Sequence, residues 1–147
     1  MNMRFTIKHS LVVAALLALP IAQAATMAKA DYKADKTRIS ADYKADKAAC
    51  ASLAANAKDV CIEQAKAKEK VARAELEYSY SGKATDQNKI LVAKAESTYA
   101  VAKEKCDDLA GNVTYVCVKE AKAVEVKALA DAKAGKEIAE VKKDAAQ

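Results

Sequence analysis

Beyond residue 24, the chain contains no tryptophan, phenylalanine, histidine or proline, and it has only three glycines. Without histidine, this part of the chain lacks the side chain most often used as a general acid or base and as a metal ligand. Without proline, nothing in it forces a long helix to break. Large apolar side chains are also few, because only 20 of these 123 residues are Leu, Ile, Val or Met. We therefore expect a thin core.

Alanine and charged residues make up most of what remains. About one residue in four after position 24 is alanine, which is the strongest helix former. Without Arg4 and Lys8, the chain has 23 basic and 20 acidic residues, which gives a net charge of +3. Lysines alternate with Asp and Glu instead of forming the basic face that nucleic acid requires. The composition therefore predicts solvated helices and no nucleic-acid partner.

The first 24 residues have the pattern of a secretory signal peptide. They combine a basic start, an apolar run over residues 11–22, and small residues before a cleavage point between Ala24 and Ala25. The apolar run is well short of the roughly 20 residues that cross a bilayer. We expect export, removal of residues 1–24, and a periplasmic or secreted protein with no integral membrane segment.

One cysteine-bracketed stretch occurs twice, at residues 50–61 and 106–117. A shift of 56 residues aligns 43–74 with 99–130, and 14 of the 32 aligned pairs are identical, both cysteines and Asn56/Asn112 among them. The unit is therefore interpreted as duplicated. We predict a single all-α domain over 25–147 made of two repeats, at about 31–80 and 86–143.

The helix pattern is clearest at the start of the domain, where residues 31–36 recur as 42–47. Eleven residues make close to three α-helical turns. The strongest break is 81–86, where Gly82 can adopt positive φ and Thr85 or Asp86 can cap the next helix. The sequence predicts an all-α fold of two tandem helical hairpins, with four helices at about 31–54, 57–80, 86–110 and 113–143.

Apolar residues at three- and four-residue steps define the expected core face of these helices. Residues 90–92 are the densest apolar patch and are expected to be the best-packed part of the core. Gly135 is a point where the last helix is expected to shorten or bend. The expected core face is continued by Ile39, Tyr43, Cys50, Leu53, Ala57, Val60, Ala67, Val71, Ala74, Tyr78, Tyr99, Ala102, Cys106 and Leu109.

The four cysteines all follow the predicted signal peptide, so they would reach a compartment where disulfides persist. Zinc sites use closely spaced ligands, whereas each cysteine pair here is 11 positions apart. We therefore predict disulfides and no metal site. The residues concerned are Cys50, Cys61, Cys106 and Cys117.

Two disulfide maps fit this spacing. In the first, each cysteine pair brackets the corner of a short hairpin, which joins Cys50 to Cys61 and Cys106 to Cys117. Gly111 would then follow one helix in a left-handed conformation, and Asn56 and Asn112 would be N-caps. Each bond would contribute on the order of 3 kcal/mol in the chain-entropy model.

In the second map each pair lies on one unbroken helix, and an antiparallel hairpin joins Cys50 to Cys117 and Cys61 to Cys106. This arrangement resembles the twin-cysteine coiled-coil-helix proteins of the intermembrane space, although that family uses a nine-residue gap. We favour the corner map because Gly111-Asn112 inside a continuous helix would cost about 1 kcal/mol or more.

No catalytic residues, cofactor site or metal site are predicted. The sequence has no phosphate-binding glycine loop, zinc motif, EF-hand or haem-attachment motif. The cysteines are too far apart for a Cys-x-x-Cys exchange site. We therefore expect a protein that is not an enzyme.

Three resemblances accompany this reading. The Ala- and Lys-rich composition resembles the helical segment of the envelope protein TolA, and the 11-residue unit resembles late-embryogenesis-abundant stress proteins. The repeated Cys-x-x-Leu-Ala-(Ala/Gly)-Asn unit resembles uncharacterised exported Ala/Lys-rich helical proteins of Gram-negative bacteria. The signal peptide, the cysteine-stapled repeats and the absence of catalytic groups lead us to expect a structural or stress-protective, chaperone-like role in the envelope, with unfolded clients or envelope proteins as partners. The alternative is a helical binding module for another envelope protein or an anionic surface.

Overall fold

The computed structural model describes residues 27–146, and this part of the chain contains four α-helices, one short 3-10 helix and no strand. The all-α fold of two stapled hairpins is confirmed. The predicted signal peptide and its cleavage point lie outside the described residues. The helices are α1 (Lys29–Ala49), α2 (Ala55–Ser81), α3 (Ala84–Cys106) and α4 (Asn112–Asp144), with the 3-10 helix at Cys50–Ser52.

Each helix packs against its neighbours in the chain. Within residues 27–146, α1 contacts α2, α2 contacts α3 and α3 contacts α4, while α1 and α4 do not meet. Successive helices are antiparallel, since Asn56 at the start of α2 bonds Glu104 near the end of α3. The four helices therefore form an open array with α1 and α4 as its two edges.

Small side chains fill the contacts between the helices. In α3 the buried residues include Ala93, Ala95 and Ser97, whereas Leu91 is 50% exposed. The prediction that residues 90–92 would be the best-packed part of the core is thus wrong for Leu91. Because neighbouring helices approach closely, alanine and serine fit at the contact and the larger side chain is left at its margin.

The predicted core face is also wrong at Ala57, which is exposed, and at two leucines. Leu53 and Leu109 are each 41% exposed. Both leucines follow a helix end, and each donates its backbone N–H to the carbonyl of the cysteine three residues earlier, at 3.1 Å for Leu53 and 3.0 Å for Leu109. This tight turn carries the leucine out of the helical phase that the prediction assumed.

The corner between α2 and α3 lies at the predicted break. Gly82 has φ 64°, and its N–H donates to the Tyr78 carbonyl at 2.8 Å. The helix α3 then begins earlier than the predicted caps, with Lys83 as N-cap. Asp86 therefore lies in the first turn, where its carboxylate accepts a hydrogen bond from Ser81 Oγ at 2.5 Å.

The two cysteine corners are longer than predicted, because α1 ends at Ala49 and α3 at Cys106. Their N-caps are Ala54 and Gly111 instead of the predicted asparagines. Gly111 does adopt positive φ, at 61°.

Farther along, α4 continues through Gly135 to Asp144. The expected shortening at Gly135 does not occur, because the glycine is exposed and its flanking alanine and lysine favour helix. None of the helices in the described part of the chain is long and apolar enough to cross a bilayer.

Candidate functional site

The disulfides join Cys50 to Cys61 and Cys106 to Cys117, so the predicted corner map is confirmed and the crossed map is wrong. The Cα atoms are 5.7 Å apart in each pair. Cys50 and Cys106 are almost fully buried, at 0% and 1% exposure. The antiparallel hairpin that the second map assumed does form, between α2 and α3 about Gly82, but neither disulfide joins its two helices.

Asn56 has a tertiary role that its position in the sequence does not reveal. It lies in the first turn of α2, where its Nδ2 donates to the backbone carbonyl of Glu104 at 2.9 Å. The acceptor is 48 positions away in the chain. Sequence reasoning assigned this side chain a local capping role because capping is the common use of asparagine at a helix start.

The far end of the first hairpin is closed by tyrosines. The rings of Tyr32 in α1 and Tyr80 in α2 have centroids 4.6 Å apart. The Tyr32 hydroxyl donates to the Glu77 carboxylate. This hydrogen bond is the main reason that the pKa of Tyr32 lies above its usual value. Together with the disulfide at the opposite end, the tyrosine pair joins α1 to α2.

A charged groove of about 330 Å³ runs between α1 and α2. Its five carboxylates are each within ion-pairing distance of a cation, so the groove is a network of pairs. Lys68 Nζ, for example, lies 2.7 Å from Asp46 Oδ2 and joins the two helices. That hydrogen bond and the charge of Asp46 raise the pKa of Lys68. The carboxylates are Asp35 and Asp42 (both with Arg38), Asp46 (Lys68), Glu69 (Arg73) and Glu75 (Lys94).

A second groove, of about 370 Å³, lies between α3 and α4 and is mainly apolar on its surface. Leu91 is 50% exposed and Val124 60% exposed along it, with Ala95 and Ala128 beside them. The sequence offered no signal for this groove, because these residues were expected in the core or on the helical surface without a shared location.

Beside the apolar groove, the buried residue Glu125 is held by an ion pair. Its Oε2 accepts a hydrogen bond from Lys122 Nζ at 2.6 Å. This bond raises the pKa of Lys122, whose ammonium group also lies 4.8 Å from the centroid of the Tyr99 ring. The ion pair lies within α4, and the contact of Lys122 with the Tyr99 ring is the one that reaches α3.

A third groove, of about 450 Å³, is basic and lies where the start of α3 meets the last turns of α4. Lys83, Lys136 and Lys143 line it, together with Thr85 and one carboxylate, Glu140. Lys136 Nζ is 3.7 Å from Glu140 Oε1. Because the lysines outnumber the carboxylate, this end of the array favours anionic ligands.

Within residues 27–146, no three His, Cys, Asp or Glu side chains are grouped so that they could hold a metal ion. The candidate functional surfaces are the apolar and the basic groove, which lie between α3 and α4 at different positions along α4. Neither a protein-family model, nor a curated protein, nor a solved structure matches the chain.

Proposed function

We propose that the chain is a non-enzymatic, exported helical protein with a structural or stress-protective, chaperone-like role in the cell envelope. The observation that carries this proposal is the α3–α4 groove, where Leu91 and Val124 are at least half exposed. Contiguous apolar surface in contact with water is a feature of sites that bind other proteins. A client that exposes apolar segments as it unfolds would find such a surface there.

The covalent framework supports the same role. Two disulfides close the cysteine corners, and such bonds persist in exported compartments. They hold the helices in place although half of the eight buried hydrophobic residues described are alanines, so we expect the groove to persist under conditions that unfold clients.

The test is suppression of client aggregation, followed by light scattering with the oxidised protein in increasing molar ratio. We expect scattering to fall as the protein is added. Replacing Leu91 and Val124 together by lysine should remove most of this effect, because charge in the groove repels apolar segments.

The matched control is Val126→Lys/Val141→Lys, which introduces the same two charges at valines of α4 that are 55% and 68% exposed and lie outside the groove. It should suppress aggregation as well as the unmodified protein does. Aggregation that proceeds unchanged at an excess of the oxidised protein would contradict the protective role.

A second candidate function is supported by the basic groove. Lys83 and Lys143 approach one another there from different helices. This arrangement suits a helical module that binds an anionic surface of the envelope or an acidic partner protein.

Co-sedimentation with phospholipid vesicles tests the anionic-surface version. Vesicles that contain anionic lipid should retain the protein at low salt and release it at high salt, whereas neutral vesicles should not bind it. The double variant Lys83→Gln/Lys143→Gln should bind less than the matched variant Lys29→Gln/Lys33→Gln on α1. Equal retention by both vesicle types would exclude charge-based recognition.

A further inference from the structure

The inference concerns the two edge helices of the array. The outer faces of α1 and α4 meet no other helix within residues 27–146. On α4, Val116 is 43% exposed on this face, and Ala123 and Ala130 are exposed as well. On α1, Ala41 and Ala45 are exposed. Each of these faces could therefore contact a helix of another molecule.

The interface between α2 and α3 gives the pattern for comparison. Asn56 bonds Glu104 at one end, and the Glu75–Lys94 ion pair, with Oε1 and Nζ 3.2 Å apart, joins the helices nearer the other. Between these contacts the helices meet through small and β-branched residues: Ala67 and Val71 on α2, Ser97 and Val101 on α3.

The 56-residue shift carries the α2 side of this interface onto the outer face of α4. Val60, Ala67 and Ala74 become Val116, Ala123 and Ala130, with identical residue types. All three are partly covered in α2, and all three are exposed in α4. The outer face of α4 therefore repeats part of a surface that is in contact elsewhere in the same chain, with Lys127 in the place of Val71.

A shift of 56 residues toward the N-terminus carries the α3 side of the interface onto the outer face of α1. Ser97 and Val101 become Ala41 and Ala45, which are smaller. Ser97 is buried and Val101 partly covered in α3, whereas both alanines are exposed in α1. The two edges of one molecule thus correspond to the two sides of its own central interface.

We propose that α4 of one copy packs antiparallel against α1 of the next copy, repeating between molecules the α2–α3 interface within the chain. Such contact is heterologous, because different faces of the two copies meet, and it continues from copy to copy until a ring closes or a filament forms. The inference rests on the internal interface and is independent of the proposed envelope role.

The polar contacts of the internal interface have counterparts at the edges. Asn112 corresponds to Asn56, and in the assembly it would donate to the backbone carbonyl of Ala48 of the next copy. Asp131 corresponds to Glu75, and Arg38 corresponds to Lys94. The acid thus stays on the α4 side and the base on the α1 side, so the edges are complementary in charge at this position.

Three differences distinguish the edges from the internal interface. Val71 corresponds to Lys127, which places a charge among the apolar residues of the α4 edge. The Lys70–Glu96 ion pair is not repeated, since the corresponding residues are Val126 and Ser40. Tyr78 corresponds to Ala134, which removes apolar area. We therefore expect a reversible, concentration-dependent association instead of a permanent one.

Sedimentation velocity of the oxidised protein over a range of concentrations tests this assembly. The average mass should rise with concentration and pass that of a dimer. Ala123→Arg blocks the α4 edge and Ala41→Arg blocks the α1 edge, with little effect on helix propensity because arginine is close to alanine. Each variant alone should stay monomeric at concentrations where the unmodified protein assembles.

A mixture of the two variants gives the sharpest result. Each variant keeps one functional edge, so an equimolar mixture should form dimers and stop there. The matched control is Ala57→Arg, at an exposed position of the interior helix α2, which should assemble like the unmodified protein. Circular dichroism and a non-reducing peptide map establish that each variant keeps its helices and both disulfides.

Two results would overturn the inference. One is a protein that remains monomeric at every concentration. The other is association that Ala123→Arg abolishes and Ala41→Arg leaves intact, since that result indicates a symmetric contact between two α4 helices.

Discussion

At the scale of single residues, the two glycines of the second hairpin have opposite roles. Gly111 has φ 61° and ψ −136°, a conformation that is open to glycine and costly for other residues. Gly135 lies inside α4, where glycine is a poor helix former. A Cβ at either position would meet nothing within 4 Å. Alanine at these sites therefore tests backbone conformation alone.

We expect Gly111→Ala to lower the free energy of unfolding by about 1–3 kcal/mol, the cost of a residue held in a disfavoured region. Gly135→Ala should raise it by about 0.5–1 kcal/mol, because alanine loses less conformational freedom in a helix. Urea unfolding of the oxidised proteins measures both changes. If both substitutions changed the free energy of unfolding in the same direction, the backbone conformation assigned to Gly111 or to Gly135 would be wrong.

Asp86 is predicted to make stability depend on pH. The hydrogen bond from Lys89 and then that from Ser81 lower the pKa of Asp86 below its usual 3.8. A carboxyl whose folded-state pKa is depressed stabilises the fold above its unfolded pKa, and this contribution disappears as the pH falls through the folded-state value. The gain should therefore be complete at neutral pH and lost in strong acid.

The variant Asp86→Asn isolates this contribution. It should be less stable than the unmodified protein in urea at neutral pH, and the two proteins should converge as the pH falls well below 3.8. Asp108→Asn, at an exposed carboxylate of the α3–α4 corner, is the matched control and should show no such convergence. A stability difference that stays constant over the whole acid range would count against the Ser81–Asp86–Lys89 network.

The role of a single residue could be predicted from the sequence only where it depends on neighbouring residues in the chain. The left-handed conformation of Gly82 followed from glycine at a helix end. Gly111 also has positive φ as predicted, but it precedes α4 and its ψ of −136° is not left-handed. The bond of Asn56 to Glu104 did not, because it depends on a helix that lies 48 positions away. The burial of Ala93 and Ala95 was also missed, since hydrophobicity alone ranks them below Leu91.

At the scale of the elements, the helices differ in how firmly they are attached. The edge helix α1 packs against α2 alone, and Ile39 is its one buried residue among those described. In contrast, α3 packs between α2 and α4 and has five buried residues. The Cys50–Cys61 bond should therefore matter most for the order of α1.

Replacing Cys50 and Cys61 by alanine is expected to lower the free energy of unfolding by about 3 kcal/mol, as for a disulfide that closes a short loop. Hydrogen exchange should show the loss locally: the amides of α1 exchange faster by more than tenfold, while those of α3 stay protected. The matched variant Cys106→Ala/Cys117→Ala should leave α1 protected. Uniform loss of protection along the chain in the first variant would show that the array unfolds as a single unit.

The existence and order of the elements could be predicted well, and their ends less well. The 11-residue repeat and the Gly82 break determine helices and a corner through local propensity. The ends of α1 and α3 were placed too late because the cysteine corners need several residues to reverse the chain. That requirement comes from the disulfide geometry and from the neighbouring helix, which propensity does not include.

At the scale of the whole molecule, the array is more extended than a compact domain. Its longest helix, α4, has 33 residues and spans about 50 Å. A compact chain of the 120 residues described, 27–146, would have a radius of gyration of about 14 Å. Small-angle X-ray scattering at low protein concentration should give a clearly larger value, and a value near 14 Å would indicate a closed bundle.

The openness of the array could not be predicted from the sequence. The apolar pattern predicts which face of each helix makes contact, but it does not predict whether α1 packs against α4 to close a bundle. In the described residues α2 and α3 each contact two helices, whereas α1 and α4 each contact one, so the helices form an open row. This property also leaves two edges available for other molecules.

The disulfide corners have a mechanical consequence. When the chain is pulled from its two ends, the residues between linked cysteines cannot extend. Each bond therefore replaces the stretched length of 11 residues by the 5.7 Å between the two Cα atoms. With about 3.5 Å per extended residue, the two bonds together shorten the fully stretched oxidised chain by about 65 Å relative to the reduced one. Single-molecule force measurements should record this difference. Under force, each disulfide thus transmits tension from one helix to the next while the helices themselves separate and unfold.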